Sequence, residues 1–233
     1  MKSEITITHI HLETPIVITE DCVQLLIVEN PTEFYNMVSD LDRQFEGEEG
    51  LFVFSANGQI LAPHKVGAIV VDPFHFDLND KKIVNLLYKK LESFAFGDKV
   101  QLLNELNSKT ISFLSELSCF LPFTLDYEEP QPSDFFKISG LKFAKTYESI
   151  EEKIICYINA LIELKNCEFF VFVNLKSVLS DEKLHALYNH CRSEQVGLLL
   201  VESGKMHREL LPCERAVVIT DDLCEILVNY QEI

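Results

Sequence analysis

FFVFVNLKSVLSDEKLHALYNHCRSEQVGLLLVESGKMHRELLPCERAVVIT, residues 169–220, holds three apolar runs: FFVFV at 169–173, LLLV at 198–201 and AVVI at 216–219. None of them alternates apolar with polar residues, as a strand with one wet face would. They read as strands covered on both faces, the mark of a parallel sheet. Between the first two, residues 180–194 open on Ser180 and Asp181 and repeat Leu184, Leu187, Tyr188 and Cys191 at helical spacing. The unit is therefore strand, crossover helix, parallel strand. The segment after Val201 is shorter and contains Pro212, which predicts a loop with at most a short helix.

Working outward, residues 3–18 combine the alternating ITITHIHL with PIVI after Pro15, a hairpin-like start. VQLLIV at 23–28 is a further strand and runs directly into ENPTEF. Asn30 followed by Glu33 predicts a capping box, and Pro31 suits the first helical position, so a helix extends to about Leu41. A nucleotide-binding α/β protein places its phosphate loop at this kind of junction. Here the junction has neither Gly nor Lys, so backbone amides and an ammonium are both missing from it, which disfavours ATP hydrolysis. Residues 42–50 form an acidic, Gly-bearing turn. Residues 51–54 and 67–71 are two more strands, and Asn57-Gly58 between them marks a tight turn.

After Asp72-Pro73 the periodicity changes. Residues 79–96, 99–121 and 147–165 each predict an amphipathic helix longer than the average of about 11–12 residues. This divides the chain into an α/β head, 1–78 and 166–233, and an inserted helical lobe, 79–165.

The 233 residues are 47% apolar, enough for a packed core, and no apolar run approaches 18 residues. There is no basic-then-apolar leader, and seven scattered cysteines without a CxxC pair fit reduced thiols. A soluble, cytoplasmic protein without a membrane segment is expected. The net charge of −17 argues against nucleic acid when taken alone. Residues 65–109, however, hold seven Lys against six acidic residues, so this segment escapes the acidity and the rest carries −18. Lys82 and Lys89, two turns apart, share a helix face. Asp126, Glu128 and Glu129, followed by Asp134, make a cluster of hard oxygen donors that suits Ca²⁺ but lacks EF-hand spacing. A solvated acidic turn explains the same residues. GxSxG, HExxH, GxGxxG and GxxxxGK[ST] are all absent. The seven histidines (9, 11, 64, 75, 185, 190 and 207) are scattered, with His9 and His11 on one strand face.

FVNLKSVLSDEKLHALYNH, then GLLLVES, then AVVITDDLCEIL resembles the C-terminal half of the Csn2 family, ring-forming accessory proteins of spacer acquisition in type II-A CRISPR systems. The similarity continues in order through most of the chain. It implies a P-loop-NTPase-like fold, with a mostly parallel sheet and no functional phosphate loop. It implies a non-catalytic homotetrameric ring that binds double-stranded DNA ends without reading sequence, alongside the spacer integrase complex and the effector nuclease. The segment Leu125-Asp126-Tyr127-Glu128-Glu129 matches the family's acidic run, which implies structural Ca²⁺ held by Asp126, Glu128 and Glu129. Pro130 and Pro132 depart from the family pattern and put Asp134 in doubt as a ligand. Lys65, Lys81, Lys82, Lys89 and Lys90 fall where the family lines its ring with lysines, a correspondence by position only. Two other function classes stay open: a nucleotide hydrolase with a degenerate site, and an acidic protein-interaction module.

Overall fold

The structure, a computed structural model, describes residues 4–205 and 209–229. In chain order its elements are β1 (Ile5–Thr8), β2 (Ile16–Ile18), β3 (Val23–Val28), α1 (Pro31–Phe45), β4 (Val53–Ala56), β5 (Gln59–Leu61), α2 (Pro63–Val66) and β6 (Gly67–Val70). There follow α3 (Lys81–Phe96), α4 (Val100–Ser118), α5 (Pro132–Ile138), α6 (Ile150–Lys165), β7 (Phe169–Val173), α7 (Asp181–Ser193), β8 (Gly197–Ser203), β9 (Glu214–Ile219) and β10 (Glu225–Asn229).

Six strands form one sheet in the order β10-β9-β3-β8-β7-β6. All its pairings are parallel except β9 with the edge strand β10. The three apolar runs that predicted a parallel sheet are β7, β8 and β9. All of β3 and β7 is buried, as expected for strands covered on both faces. Residues of one parity, including Leu26, Val28, Phe169, Val171, Leu199, Val201 and Val217, join a core with Met37 and Leu41 of α1. Their opposite-parity neighbours Leu25, Phe170, Phe172, Leu198 and Leu200 are equally buried, on the other face. The crossover helix α7, which packs against β8, buries the Leu184, Leu187, Tyr188 and Cys191 set that its spacing predicted.

A second, antiparallel sheet has the order β2-β1-β4-β5. The hairpin-like start is the β1–β2 pair, and Ile5, Ile7, Ile16 and Ile18 face the core. Asn57 and Gly58, both at positive φ (51° and 73°), make the tight β4–β5 turn. Phe54 of this sheet stacks on Phe169 with ring centroids 5.7 Å apart, so the two sheets share one core.

The chain divides into two compact units, 1–76 with 147–233, and 77–146. The boundary expected at 165 thus falls about a helix earlier, and α6 belongs to the sheet-bearing unit. Its periodic set Ile154, Tyr157, Ile158 and Leu161 is buried, and it packs along α7, where Asn159 and His190 share a 2.7 Å hydrogen bond. Periodicity showed that α6 had a buried face and was silent on what covers it.

The helical unit holds α3, α4 and α5. Asn79 closes its two chain ends with a pair of side-chain bonds to the backbone of Phe143 (2.8 and 3.1 Å), and Lys145 pairs with Asp77 at 2.7 Å. The segment 123–143 contains α5. Pro132 sits in its first turn, where a missing N–H costs nothing, and Asp134 Oδ2 accepts the Gln131 N–H.

Candidate functional site

The junction of β3 and α1 carries its own answer to the phosphate-loop question. Asn30 caps α1, and its Oδ1 accepts from the N–H groups of Thr32 and Glu33 at 3.0 and 3.1 Å. Pro31 has no N–H to offer. The amides that would cradle a phosphate are therefore occupied or missing, and Glu29 and Glu33 add negative charge where an anion would sit. The expected capping box is only half formed. The Glu33 carboxylate bonds His11 Nδ1 at 2.6 Å, in the turn after β1. Tertiary contact has redirected this side chain.

Four of the five predicted lysines lie on α3. Asp80 caps the helix by accepting the Lys82 N–H at 2.8 Å, and Ile83 turns inward. The exposed positions are 81, 82, 85, 89, 93, 94 and 96, and among them 82, 85, 89, 93 and 96 follow helical spacing, so Lys82 and Lys89 share a solvent-facing side. Lys81 is exposed next to it. Lys90 is half-buried, with its Nζ 5.6 Å from the Phe94 ring centre. Lys65 is exposed on α2, in the other unit.

Asp126, Glu128 and Glu129 are all exposed on an extended segment. They do not gather: among the described residues, His9, His11 and Glu33 are the one group of three such side chains whose ligand atoms converge. Asp126 Oδ1 accepts from the next N–H, Tyr127. Asp134 is spent on its own helix start and on Lys137 at 3.4 Å. Glu129 is different. It accepts from Asn107 Nδ2 of α4 at 2.6 Å, and the buried Oδ1 of the same amide has no hydrogen-bond partner. An amide oxygen without a partner is a donor that Ca²⁺ can use, but the amide turns Nδ2 and not Oδ1 toward Glu129, and Asp126 and Glu128 do not converge on the pair. Asn107 was missed in the sequence, where Asn104 one turn earlier and Thr110 one turn later make it look like any other polar position of the helix.

A second polar centre went unnoticed. Lys176, in a 3-10 turn at 175–177, places Nζ 2.6 and 2.8 Å from the two carboxylate oxygens of Glu214, which is 1% exposed. Glu214 also accepts from Tyr188 (2.7 Å) and from the Leu211 N–H (2.8 Å). The Lys176 N–H in turn donates to Glu202 at 2.9 Å. Burial pushes the Glu202 carboxyl up to about 7, against the pull of the Lys176 N–H and ammonium. The same centre, through burial and the Glu214 charge, drives the Tyr188 phenol far above its usual range. These groups tie the connections of β7, β8 and β9 together, and Glu214 also lines a cleft that it shares with Arg192, Cys213 and Arg215.

The other reactive groups are dispersed. None of the seven cysteines is in a disulfide, and burial lifts the Cys191 thiol to about 12, too high for a nucleophile. His207 lies outside the described residues. Among those described, no helix is long and apolar enough to cross a membrane.

The family model described as CRISPR-associated protein (Cas_Csn2) matches residues 44–223. The CRISPR-associated protein Csn2 of Enterococcus faecalis is 25% identical over 195 residues, covering 82% of this chain and 86% of the relative. That of Streptococcus agalactiae is 24% identical over 199 residues, covering 84% and 88%. Among solved structures, a nucleotide-free ATP-binding cassette of an ABC transporter aligns over 94% of this chain and 88% of its own at 13% identity, with a TM-score of 0.48. A putative ABC transporter ATP-binding protein from Pyrococcus furiosus aligns over 92% and 97% at 12% identity, with a TM-score of 0.41.

Proposed function

The chain belongs to the Csn2 family of CRISPR-associated proteins, and from that premise we propose that it is a non-catalytic ring protein that encircles double-stranded DNA near its ends during spacer acquisition. The observation that carries this reading is the exposed Lys82–Lys89 stripe of α3, in a stretch of an acidic chain that is not itself acidic. Lysines that pair only with phosphates would make binding salt-dependent and indifferent to sequence. The plugged start of α1 supports the absence of nucleotide turnover.

Self-association has its own support. On α4, Leu102, Leu106, Phe113 and Leu117 fall on one face and are 64%, 43%, 61% and 46% exposed. An apolar stripe this open on a helix is a surface waiting for a partner, and a second copy of the chain is the partner we propose, building toward a homotetramer. Ca²⁺ would be held by Asp126, Glu128 and Glu129 drawn together around it from the positions they hold here, where their carboxylates do not converge, with Asn107 as a further oxygen donor once its amide is turned over. Its chemistry would be structural: a divalent cation among carboxylates lowers the repulsion that an acidic ring faces when it meets DNA. The ring would work with the spacer integrase complex and the effector nuclease.

The direct test compares linear and covalently closed duplex of equal length, in Ca²⁺ and in chelator. Binding to the linear form alone, lost in chelator, is expected. Lys82→Glu/Lys89→Glu is expected to weaken binding by about 30-fold or more near 0.15 M salt, since each phosphate contact is worth about 1 kcal/mol there, and to flatten the salt dependence. Equal binding to closed circles would remove the ring. Unchanged affinity of the double variant would make the stripe an ordinary solvated face. No binding to either form would leave the acidic interaction module as the function.

A further inference from the structure

His9, His11 and Glu33 come from segments more than 20 positions apart, yet one ring nitrogen of each histidine and one carboxylate oxygen lie within 4.8 Å of one another. The geometry points to a binding site for a divalent first-row transition ion, Zn²⁺ or a close analogue, formed by these three side chains. It is separate from the oxygen-donor site on Glu129 and is not needed for the function proposed above.

The fold prearranges the three. Thr8 ends β1, and the following turn is closed by the Leu12 N–H on the His9 carbonyl at 2.9 Å, which holds His9 and His11 two positions apart on one side of it. The His9 ring is buried at 7% exposure, tilted against Phe52 with centroids 4.3 Å apart and edge-on to His11 at 5.4 Å. Phe52 is itself fixed, because Gln44 of α1 donates to its carbonyl and accepts its N–H. Glu33 stands in the first turn of α1, positioned by the Asn30 cap. The 2.6 Å contact between His11 Nδ1 and Glu33 Oε1 shows a proton where the ion would sit. Taking up the ion displaces that proton from Nδ1, leaving a neutral imidazole with its proton on Nε2, and widens the pair to the separation that metal–ligand bonds of about 2.0–2.2 Å impose. The His11 side chain is 36% exposed, so the site opens to solvent.

Donor type decides the ion. Two imidazoles with one carboxylate suit zinc, nickel or copper, while Ca²⁺ and Mg²⁺ take oxygen ligands. Three protein ligands leave a fourth position for water or an incoming donor. The ion would pin the turn after β1 to the start of α1, the place where a phosphate loop is missing. A plain histidine–carboxylate pair between turn and helix is the competing explanation.

The test uses the full chain, stripped of metal and titrated with Co²⁺, whose visible spectrum reports its ligands. One saturable site per chain is expected, without thiolate charge transfer, displaced by Zn²⁺ and unaffected by excess Ca²⁺. Outer-shell partners of a metal alone are worth about 10–100-fold in affinity, so losing a direct ligand in His11→Ala or Glu33→Gln should weaken binding at least ~10-fold. His11 is accessible whereas Glu33 is buried at 8% exposure, so circular dichroism must show that each variant is folded before its affinity is read. His9 is left alone because its ring is part of the core. The site is overturned by an absence of saturable binding, by a thiolate spectrum, by displacement with Ca²⁺, or by unchanged affinity in both variants. Because DNA plays no part in the titration, failure here and failure of the ring reading are separate results.

Discussion

Lys176→Met is expected to lower the unfolding free energy by about 3–5 kcal/mol, the usual result of removing one partner of a buried ion pair. The reason is the charge left behind. Glu214 is 1% exposed and, without the ammonium, keeps only the Tyr188 hydroxyl and the Leu211 N–H. Water cannot reach it to compensate. Urea unfolding followed by circular dichroism measures the loss, and the midpoint temperature should fall by roughly 10 °C for a chain of this size. Lys176→Met/Glu214→Gln is the control. Tyr188 bonds Oε1 and the Leu211 N–H bonds Oε2, so the single amide oxygen keeps one of these two bonds; no charge is stranded, and part of the loss should return. A single variant within about 1 kcal/mol of wild type would mean that the pair is solvated and not a structural tie.

Glu202→Gln is expected to stabilise the protein above neutral pH and do little below pH 5. The direction follows from linkage. The Glu202 carboxyl titrates at about 7 in the folded chain against an ordinary 4.5, so the folded state holds this proton more tightly than the unfolded state does. Its contribution is therefore fully present below pH 4.5 and is lost as pH rises through 7. The displacement corresponds to about 3 kcal/mol at pH 8, an upper figure because the side chain is only partly buried. Glutamine keeps the acceptor for the Lys176 N–H and does not ionise, so the variant's stability should stay level between pH 5 and 8 while the wild type declines. Parallel pH profiles for the two proteins would show that Glu202 is charged in the fold throughout.

This network also shows where reading the chain runs out. Lys176, Tyr188, Glu202 and Glu214 are spread over 39 positions and follow no shared motif. Each looks ordinary in its own neighbourhood: a lysine after a strand, a tyrosine on a helix, two glutamates at the ends of apolar runs. Asn107 and Glu129 are alike in this, brought within 2.6 Å by the packing of the helical unit. The lysine stripe of α3 was legible because it lies on one helix, whose period places Lys82 and Lys89 together.

The parallel sheet was written in β3, β7, β8 and β9 themselves, because a strand covered on both faces must be apolar throughout, and that demand acts on consecutive residues. The α7 crossover, the Asn57-Gly58 turn and the absence of a phosphate loop were open to the same local reading. The packing of distant segments decided the rest. It assigned α6 to the sheet-bearing unit, turned Glu33 from its own helix start to His11, and set His9 beside them. A periodic apolar face records that something will cover it, and a carboxylate records that something will pair with it. Neither names its partner, because the partner's position depends on how the whole chain closes, and that is a property of the tertiary structure alone.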